Sequence, residues 1–312
     1  MAIQPPKICV VGSSMIDLIS QVPRLPKLGE TLVGRSFHLG YGGKGANQAV
    51  MAAKLGARVT MVTKLGRDVF GDGTLKNYRE QGIDTTHVMF DDSRFSGVAP
   101  IFVSDNAQNF IVIVPGANAG LSPADVQASK QVILDADILI SQLEVPMETT
   151  LEALRIAKSG SVRTILNPAP AAPIPDELVQ LTDICVPNET EIELLTGQSA
   201  GTLAEAEAAA RKLLLRGTRT VILTLGEHGA LFVDKDSVEE IPTVKVNAVD
   251  PTGAGDAFIG SLAVFFGEGL PLRDAIRRAN AVAALSVTRI GTQVSFPKRA
   301  EADGFLKQQG LV

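Results

Sequence analysis

Residues 45–64 read GANQAVMAAKLGARVTMVTK and place a helix directly before a strand. Alanine and valine recur at spacings of three and four between 45 and 55, which puts them on one face of a helix. Gly56 follows where a C′ glycine can end that helix in the left-handed conformation. The apolar, β-branched run 58–64 then predicts a buried strand. The segment is therefore one helix-and-strand step of an α/β protein.

The same alternation continues on both sides of this segment. Further strands are expected at 8–12, 137–141, 164–167 and 220–225, and further helices at 202–216, 257–266 and 274–289. Short apolar strands separated by helices are typical of a parallel sheet that is covered on both faces. We therefore predict an α/β fold with a central, mostly parallel sheet and helices on both faces.

Two stretches, 18–41 and 88–114, interrupt the alternation. In the second stretch, the apolar runs 97–103 and 109–114 have no helix between them, which indicates an antiparallel pair. The simplest arrangement is a single α/β domain over residues 1–312 from which two excursions build a small β-sheet lid over one edge of the core. The unpaired strand edges of this lid favour a homodimer.

The composition limits the possible partners and locations. There are 29 basic and 34 acidic residues, a formal charge of -5, which disfavours nucleic acid as a partner. Apolar residues make up 45% of the chain, and the longest apolar stretch, 257–266, is too short for a membrane span of ~20 residues. No apolar h-region precedes the first strand, so we expect no signal peptide. Cys9 and Cys185 each stand alone in an apolar run, as buried thiols of a cytoplasmic protein do.

The stretch DPTGAGD at 250–256 opens an apolar helix and could form a catalytic site. The N–H groups of Gly253, Ala254 and Gly255 would point outward at the helix start, where the helix dipole also attracts phosphate. A general base could explain the carboxylate of Asp256, which would take a proton from an attacking hydroxyl. Alternatively, Asp256 only complements the helix dipole, and for the motif taken alone this second interpretation is favoured.

The glycine-rich stretch YGGKGAN at 41–47 opens another helix. Gly40, Gly42 and Gly45 satisfy G-x-G-x-x-G, but no clear strand enters the motif and no acidic residue stands about 20 positions further on, which disfavours a dinucleotide fold. It is not a Walker A loop either, because Gly45 follows Lys44 where Ser or Thr is needed. Two interpretations remain: hydrogen bonding to a polyhydroxylated ligand, or glycines that allow tight helix packing.

Two further motifs follow predicted strands. In NETE at 188–191, Asn188 and Glu191 can cap a helix, or Glu191 can hold magnesium-bound water while Asn188 reaches nucleotide phosphates. The stretch TLGEHG at 224–229 lies at a strand end, where α/β sheets bind ligands, although a hairpin turn also explains it.

The order of these motifs along one chain is more specific than any one of them. With VVGS at 10–13, NPAP at 167–170 and GTQ at 291–293, the sequence resembles the ribokinase-like branch of the PfkB family of carbohydrate kinases over nearly its whole length. The resemblance implies a ribokinase-like α/β fold with a lid that closes over a sugar. It also implies an ATP-dependent kinase, which we expect to phosphorylate the 5-hydroxyl of D-ribose.

Matched position by position, the resemblance implies a role for each site residue. The base would be Asp256, with an anion hole at Gly253, Ala254 and Gly255. The sugar would contact Met15, Ile16, Asp17, Gly43, Lys44, Gly45, Ala46, Asn47, Ala99, Ile101, Glu144 and Asp256. ATP would contact Asn188, Glu191, Thr224, Leu225, Gly226, Glu227, His228, Gly229, Gly255 and Asn280, with Glu191 tied to Mg²⁺. Activating K⁺ would lie among Asp250, Thr252, Ser286, Arg289, Gly291 and Ser295.

Met15 departs from the pattern of many bacterial members, which carry an asparagine that reaches a ribose hydroxyl. Methionine offers an apolar, adaptable surface and no hydrogen-bond donor. A sugar without the 2-hydroxyl would lose less here, so 2-deoxy-D-ribose is the alternative acceptor, and the lid run 95–102 points the same way. A catalytically silent sugar- or nucleotide-binding regulator is a further alternative, because a fold does not guarantee activity.

Overall fold

The computed structural model describes residues 4–105 and 109–312. Its strands are β1 (Lys7–Val11), β2 (Met15–Val22), β3 (Ser36–Gly42), β4 (Arg58–Gly66), β5 (Val88–Asp91), β6 (Gly97–Ser104), β7 (Asn109–Ile111), β8 (Ile138–Ser141), β9 (Arg163–Leu166), β10 (Ile184–Cys185), β11 (Thr220–Thr224), β12 (Ala230–Asp234) and β13 (Val238–Ile241). Its α-helices are α1 (Lys44–Lys54), α2 (Val69–Glu80), α3 (Pro123–Ala128), α4 (Lys130–Leu134), α5 (Met147–Ser159), α6 (Asp176–Gln180), α7 (Glu189–Thr196), α8 (Leu203–Arg216), α9 (Ala254–Gly267), α10 (Leu272–Ser286) and α11 (Arg299–Gln308).

The large sheet has nine strands in the order β13-β12-β11-β10-β9-β8-β1-β4-β5. Pairing is parallel from β11 through β8 to β1, and onward through β4 to β5. The last two strands, β12 and β13, are antiparallel. The predicted mostly parallel sheet is therefore confirmed.

Two packed layers cover this sheet. Along β1, Ile8 and Val10 belong to one buried cluster, and Cys9 and Val11 belong to another. Successive residues of a strand point to opposite faces, so both faces of the sheet are buried. Helix α9 packs between α1 and α10 over the first face, which explains why its sequence is apolar on nearly all sides.

The small sheet has the order β3-β2-β6-β7. Strands β2 and β3 are antiparallel, as are β6 and β7, and β2 pairs with β6 in parallel from Met15 opposite Gly97 to Val22 opposite Ser104. The two excursions thus meet through a parallel pair, which the sequence patterns did not indicate. The first strand of the small sheet also begins three residues before the predicted start at 18.

The placement of residues 88–91 in the lid was wrong. They form β5, which pairs in parallel with β4 at the edge of the large sheet, with Thr63 opposite Val88. The physical reason is helix α2, which connects β4 to β5. A strand, a helix and a second strand form a crossover unit that places the two strands side by side in parallel.

The helix ends follow local chemistry. Gly56 has φ of 92°, as expected after α1, and Thr202 caps α8 through its side chain. Helix α10 ends at Ser286, three residues before the predicted end, and the carbonyl of Val287 accepts hydrogen bonds from the N–H groups of Val249 and Asp250. Within the described ranges, no helix combines the length and the apolar character needed to cross a membrane.

Candidate active site

The site lies beyond the carboxyl ends of β1 and β8. The chain runs outward in opposite directions from these neighbouring strands, and open α/β sheets bind ligands at such a point. The Ser13 hydroxyl, after β1, donates a hydrogen bond to Glu144, after β8, and the backbone N–H of Lys44 donates to the same carboxylate at 2.9 Å. Burial raises the pKa of Glu144, although these two donors oppose the shift. One carboxylate thereby joins the first strand, the β8 loop and the start of α1.

Asp256 lies in the first turn of α9 and is 8% exposed. Asn47 Nδ2 donates to its Oδ2 and Gln48 Nε2 donates to its Oδ1, each at 2.9 Å. Gly253 stands at the N-cap with φ of 79°, and a Cβ there would lie 2.5 Å from Thr292 Cγ2, so the turn requires glycine. Two side-chain amides therefore hold Asp256, in addition to its favourable position at the positive end of the helix dipole.

Lys44 is the positive charge of the site. Burial alone would lower the pKa of its ammonium, but the carboxylates of Asp256, Glu144 and Glu191 outweigh burial and the pKa is raised. Lys44 is therefore charged at neutral pH. It lines a cleft of about 190 Å³ whose other walls are Asn167, Val186, Asn188, Glu191, Thr224, Pro251, Gly253, Ala254, Gly255, Asp256 and Ile259.

The small sheet brings Asp17 to this group of charges. Burial, and then the charges of Glu144 and Asp256, raise the pKa of Asp17 to about 7. A Cβ on Gly42 would lie 2.4 Å from Asp17 Oδ1, so glycine at 42 leaves the space that the carboxylate occupies. Ala99 pairs with Asp17 across β2 and β6.

The other predicted sugar-binding residues lie around Asp17 and Lys44. Met15 and Ile16 are buried at the start of β2, and Ile101 is two residues beyond Ala99 on the same strand. Gly43 is the N-cap of α1, and a Cβ there would lie 2.7 Å from Met15 N. Gly45 and Ala46 touch the backbone of Ser13. Gly43 and Gly45 therefore allow α1 to pack closely against residues 12–15.

Asn188 and Glu191 form a reciprocal capping box at the start of α7. Asn188 Oδ1 accepts from Glu191 N at 2.8 Å, and Glu191 Oε2 accepts from Asn188 N at 2.9 Å. Both residues also line the cleft, and burial raises the pKa of Glu191. Among the described residues, no hydrogen bond reaches Glu191 Oε1, so capping leaves this oxygen open to another partner.

Of the residues predicted to contact ATP at 224–229 and 280, only Thr224 lines the cleft. Glu227 and His228 are exposed, and residues 225–229 form the turn between β11 and β12. Asn280 is buried in α10, where its Nδ2 donates to the carbonyl of Ile241 at 2.9 Å.

Comparison with known proteins identifies the family. Residues 5–299 match the model of the pfkB family carbohydrate kinases. The chain belongs to this family. A deoxyribokinase of Salmonella typhi is 44% identical over 96% of this chain and 98% of its own length. A ribokinase of Mus musculus is 42% identical over 94% of this chain and 93% of its own length. The structure of an Arabidopsis thaliana ribokinase complexed with ribose and ATP has a TM-score of 0.93 at 31% identity, covering 97% of this chain and 99% of that one.

The residues predicted to bind potassium in this pfkB kinase lie on two adjoining loops. Asp250 Oδ1 accepts from Thr252 N and Asp250 Oδ2 accepts from Gly291 N, both at 2.9 Å. Ser295 and Ser286 close local turns through their hydroxyls, and Arg289 pairs through its side chain with Glu301. Asp250 therefore ties the loop before α9 to the loop after α10.

The sequence analysis missed three buried residues that support this kinase site. Ser13 orients Glu144, while Gln48 and Gln142 form a hydrogen-bonded pair beside Asp256. A signal existed for Gln48, which is a long polar side chain directly before the apolar run from Ala49 to Ala52 of α1 and is buried like that run. The partner of such a residue lies far along the chain, so the sequence alone does not identify it.

Proposed function

We propose that this protein transfers the γ-phosphoryl group of ATP to the 5-hydroxyl of D-ribose, giving D-ribose 5-phosphate and ADP. The proposal depends on one observation: Asp256, residues 253–255 and Lys44 line one cleft. Curated relatives named ribokinase, at 42% identity, and the relative complexed with ribose and ATP support both substrates.

Sugar binding is the role of the charged and amide groups on the small-sheet side. Asp17 and Glu144 would accept hydrogen bonds from sugar hydroxyls, and Lys44 and Asn47 would donate. Ala99 and Ile101 would cover the apolar side of the sugar. Closure of the small sheet would exclude water, which competes with the sugar as phosphoryl acceptor.

Asp256 is the general base of the proposed reaction. Its carboxylate accepts the proton of the 5-hydroxyl as that oxygen bonds to the γ-phosphorus and the bond to ADP breaks. The N–H groups of Gly253 and Gly255, at the positive end of α9, stabilise the negative charge on the transferring phosphoryl group. The N–H of Ala254 donates to the Pro251 carbonyl at 3.1 Å, so it would join them only when that bond opens. The ammonium of Lys44 adds positive charge to the same cleft.

The donor set of the cleft fits magnesium held mainly by the nucleotide. Among the described residues, no cluster of three or more His, Cys, Asp or Glu side chains could hold a metal ion. Mg²⁺ bound by substrate phosphates, water and one carboxylate needs no such cluster, and Glu191 offers its free Oε1. When bound, Mg²⁺ would neutralise phosphate charge, while Asn188 and Thr224 would contact the nucleotide.

Potassium activation is supported by the carbonyl groups of the two loops joined by Asp250. In residues 4–105 and 109–312, the carbonyl oxygens of Asp250, Thr252, Arg289 and Gly291 accept no hydrogen bond. Uncovered carbonyl oxygens are suitable ligands for K⁺, and the loops adjoin the anion hole. When bound, K⁺ would add a fixed positive charge there.

2-Deoxy-D-ribose is a second candidate acceptor, favoured by Met15. This side chain is buried at the start of β2, opposite Gly42 and Gly97, and it cannot donate a hydrogen bond to a 2-hydroxyl. The Salmonella typhi relative at 44% identity is named deoxyribokinase. An apolar neighbour discriminates weakly between the two sugars.

The test is a coupled ATPase assay with D-ribose and 2-deoxy-D-ribose in parallel, with Mg²⁺, and with or without K⁺. We expect a higher kcat/KM for ribose and an increase with K⁺. A higher kcat/KM for deoxyribose would make 2-deoxy-D-ribose the preferred acceptor and leave the proposed phosphoryl transfer unchanged. Absence of turnover with either sugar would refute the proposal in favour of a silent binding protein.

We further infer a cytoplasmic homodimer assembled through the small sheet. Its edge strands β3 and β7 each have one neighbour among the described strands, and Phe37, Leu39 and Phe110 are exposed there. Burial raises the pKa of both cysteine thiols to about 12, as suits thiols that stay reduced. Light scattering during size-exclusion chromatography tests the dimer, and a monomer at micromolar concentration would contradict it.

A further inference from the structure

Gln48 is a buried amide that reaches the proposed base but does not reach the cleft. Its side chain is 0% exposed, and Nε2 donates to Asp256 Oδ1 at 2.9 Å. Asn47 occupies the other carboxylate oxygen from the neighbouring position of α1. Because Gln48 lies behind the carboxylate, any effect on the reaction passes through Asp256.

The orientation of the Gln48 amide is determined by its neighbours. Gln142 Nε2 donates to Gln48 Oε1 at 2.6 Å, so the oxygen of Gln48 faces Gln142 and its nitrogen faces Asp256. Asn167 donates to the carbonyl of Val186 and turns its Oδ1 toward Gln48 Nε2, at 3.3 Å. A flipped Gln48 amide would place its oxygen against Asp256 Oδ1 and its nitrogen against the donor of Gln142, so neither hydrogen bond could form. The donor of Gln48 therefore stays directed at Asp256.

Glycine at two positions makes room for this arrangement. A Cβ on Gly12 would lie 2.1 Å from Gln142 Oε1, and a Cβ on Gly260 would lie 2.7 Å from the backbone oxygen of Gln48. Gly260 is four residues after Asp256, on the same face of α9. The absence of a side chain at 260 lets α9 approach α1 closely enough for Gln48 to reach the carboxylate.

A second chain of amides approaches Asp256 from the other side. Asn77 Nδ2 donates to Gln293 Oε1, Gln293 Nε2 donates to Asn47 Oδ1, and Asn47 Nδ2 donates to Asp256 Oδ2. All of these bonds lie between 2.9 and 3.0 Å. Both chains therefore end in an N–H directed at the carboxylate, one for each oxygen.

We propose that Gln48 is a positioning residue for phosphoryl transfer, which holds the carboxyl group of Asp256 at the angle that presents a free lone pair to the sugar hydroxyl. Each carboxylate oxygen has two lone-pair positions, and the amides occupy one on each oxygen. The two amide hydrogen bonds therefore determine the direction in which the remaining lone pairs of Asp256 point. The inference rests on the proposed function, because it requires Asp256 to be the base.

The first test compares Gln48→Met with wild type, using whichever sugar the wild type phosphorylates. Methionine keeps the length of the side chain and removes its donor, so kcat should fall about 10- to 100-fold because the base is no longer aligned. KM for the sugar and the Kd of ATP should stay within about threefold. The matched control is Thr218→Val, which removes a buried hydrogen bond to the Thr182 carbonyl at the opposite edge of the sheet. It should lower Tm without changing kcat.

A double variant separates positioning from stability. If Gln48 acts only through Asp256, Gln48→Met combined with Asp256→Asn should be no slower than Asp256→Asn alone. If Gln48→Met does not fold, Gln142→Met is the substitute variant. It removes the donor that orients the Gln48 amide and leaves Gln48 itself in place, so the loss of kcat should be smaller.

Each outcome supports or overturns the inference. A kcat within twofold of wild type for Gln48→Met, or multiplicative losses in the double variant, would overturn it while leaving the proposed function intact. Absence of sugar phosphorylation by the wild type would refute the proposed function, and the inference with it.

Discussion

The central strands of the large sheet are buried on both faces, whereas the edge strand β3 of the small sheet is exposed. Every residue of β8 is buried, while β3 has Phe37 and Leu39 exposed. The large-sheet side supplies Asp256, which two amides hold in place. The small sheet supplies Asp17, whose charge is disfavoured by burial and by neighbouring carboxylates. The well-packed region therefore aligns the proposed base, and the less buried region brings a carboxylate whose charge its surroundings disfavour.

The largest effect is expected from Asp256→Asn on the large-sheet side. Asparagine keeps the shape but cannot take the proton, so kcat should fall about 10²- to 10⁴-fold. Isothermal titration should show ATP affinity near that of wild type, and Tm should change little. Turnover like that of wild type would remove Asp256 as the base.

The matching substitution in the small sheet is Asp17→Asn. Losing a carboxyl acceptor for a sugar hydroxyl should lower kcat/KM for ribose about 10²-fold, mainly through KM, since Asp256 is untouched. Steady-state kinetics with varied sugar measures the split. The exposed Asp236→Asn is the control, with unchanged kinetics. A loss of kcat with unchanged KM would contradict the assignment of sugar binding to the small sheet and of chemistry to the large-sheet side.

Substitution of Met15, at the start of β2, should have a smaller effect, on the selectivity between the two sugars. Met15→Asn introduces a donor and acceptor beside Gly42 and should shift the kcat/KM ratio of ribose to deoxyribose about tenfold toward ribose. The two sugars are compared in the same coupled assay. An unchanged ratio would show that selectivity does not reside at Met15.

The smallest effect is on stability and follows from the raised pKa of Asp17. The folded protein holds the proton up to about pH 7, whereas the unfolded chain releases it near the ordinary value of 3.8. The unfolded state therefore binds fewer protons between about pH 4 and pH 7, and the folded protein loses stability as pH rises through that window. After allowance for the partial exposure of Asp17, the free energy of unfolding should fall by about 1–2 kcal/mol across this window.

Ligand-free Asp17→Asn should accordingly exceed wild type in Tm by a few degrees at pH 8, and by less at pH 5. Scanning calorimetry at both values measures the difference, with Asp236→Asn as the reference. A constant Tm difference across this range would show that the ionisation of Asp17 does not limit stability.

Local patterns predicted most of the large sheet because each step depends on nearby residues. The apolar spacing of α1, the glycine after it and the run of β4 are all local signals. The placement of residues 88–91 failed because a strand's partner depends on the connecting helix as well as on its own composition. The parallel pairing of β2 with β6 joins residues about 80 positions apart, and no local signal specifies that register.

The sequence by itself determined the fold class, the family and the motif residues at 42–47 and 250–256, because periodicity and glycine chemistry are properties of adjacent residues. Only the tertiary structure decided which groups surround Asp256. Asn47, Gln48 and Gln142 meet there across more than 90 positions of chain. Hydrogen bonds of 2.6 to 2.9 Å depend on how α1, α9 and the β8 loop pack together, and packing is a property of the folded molecule.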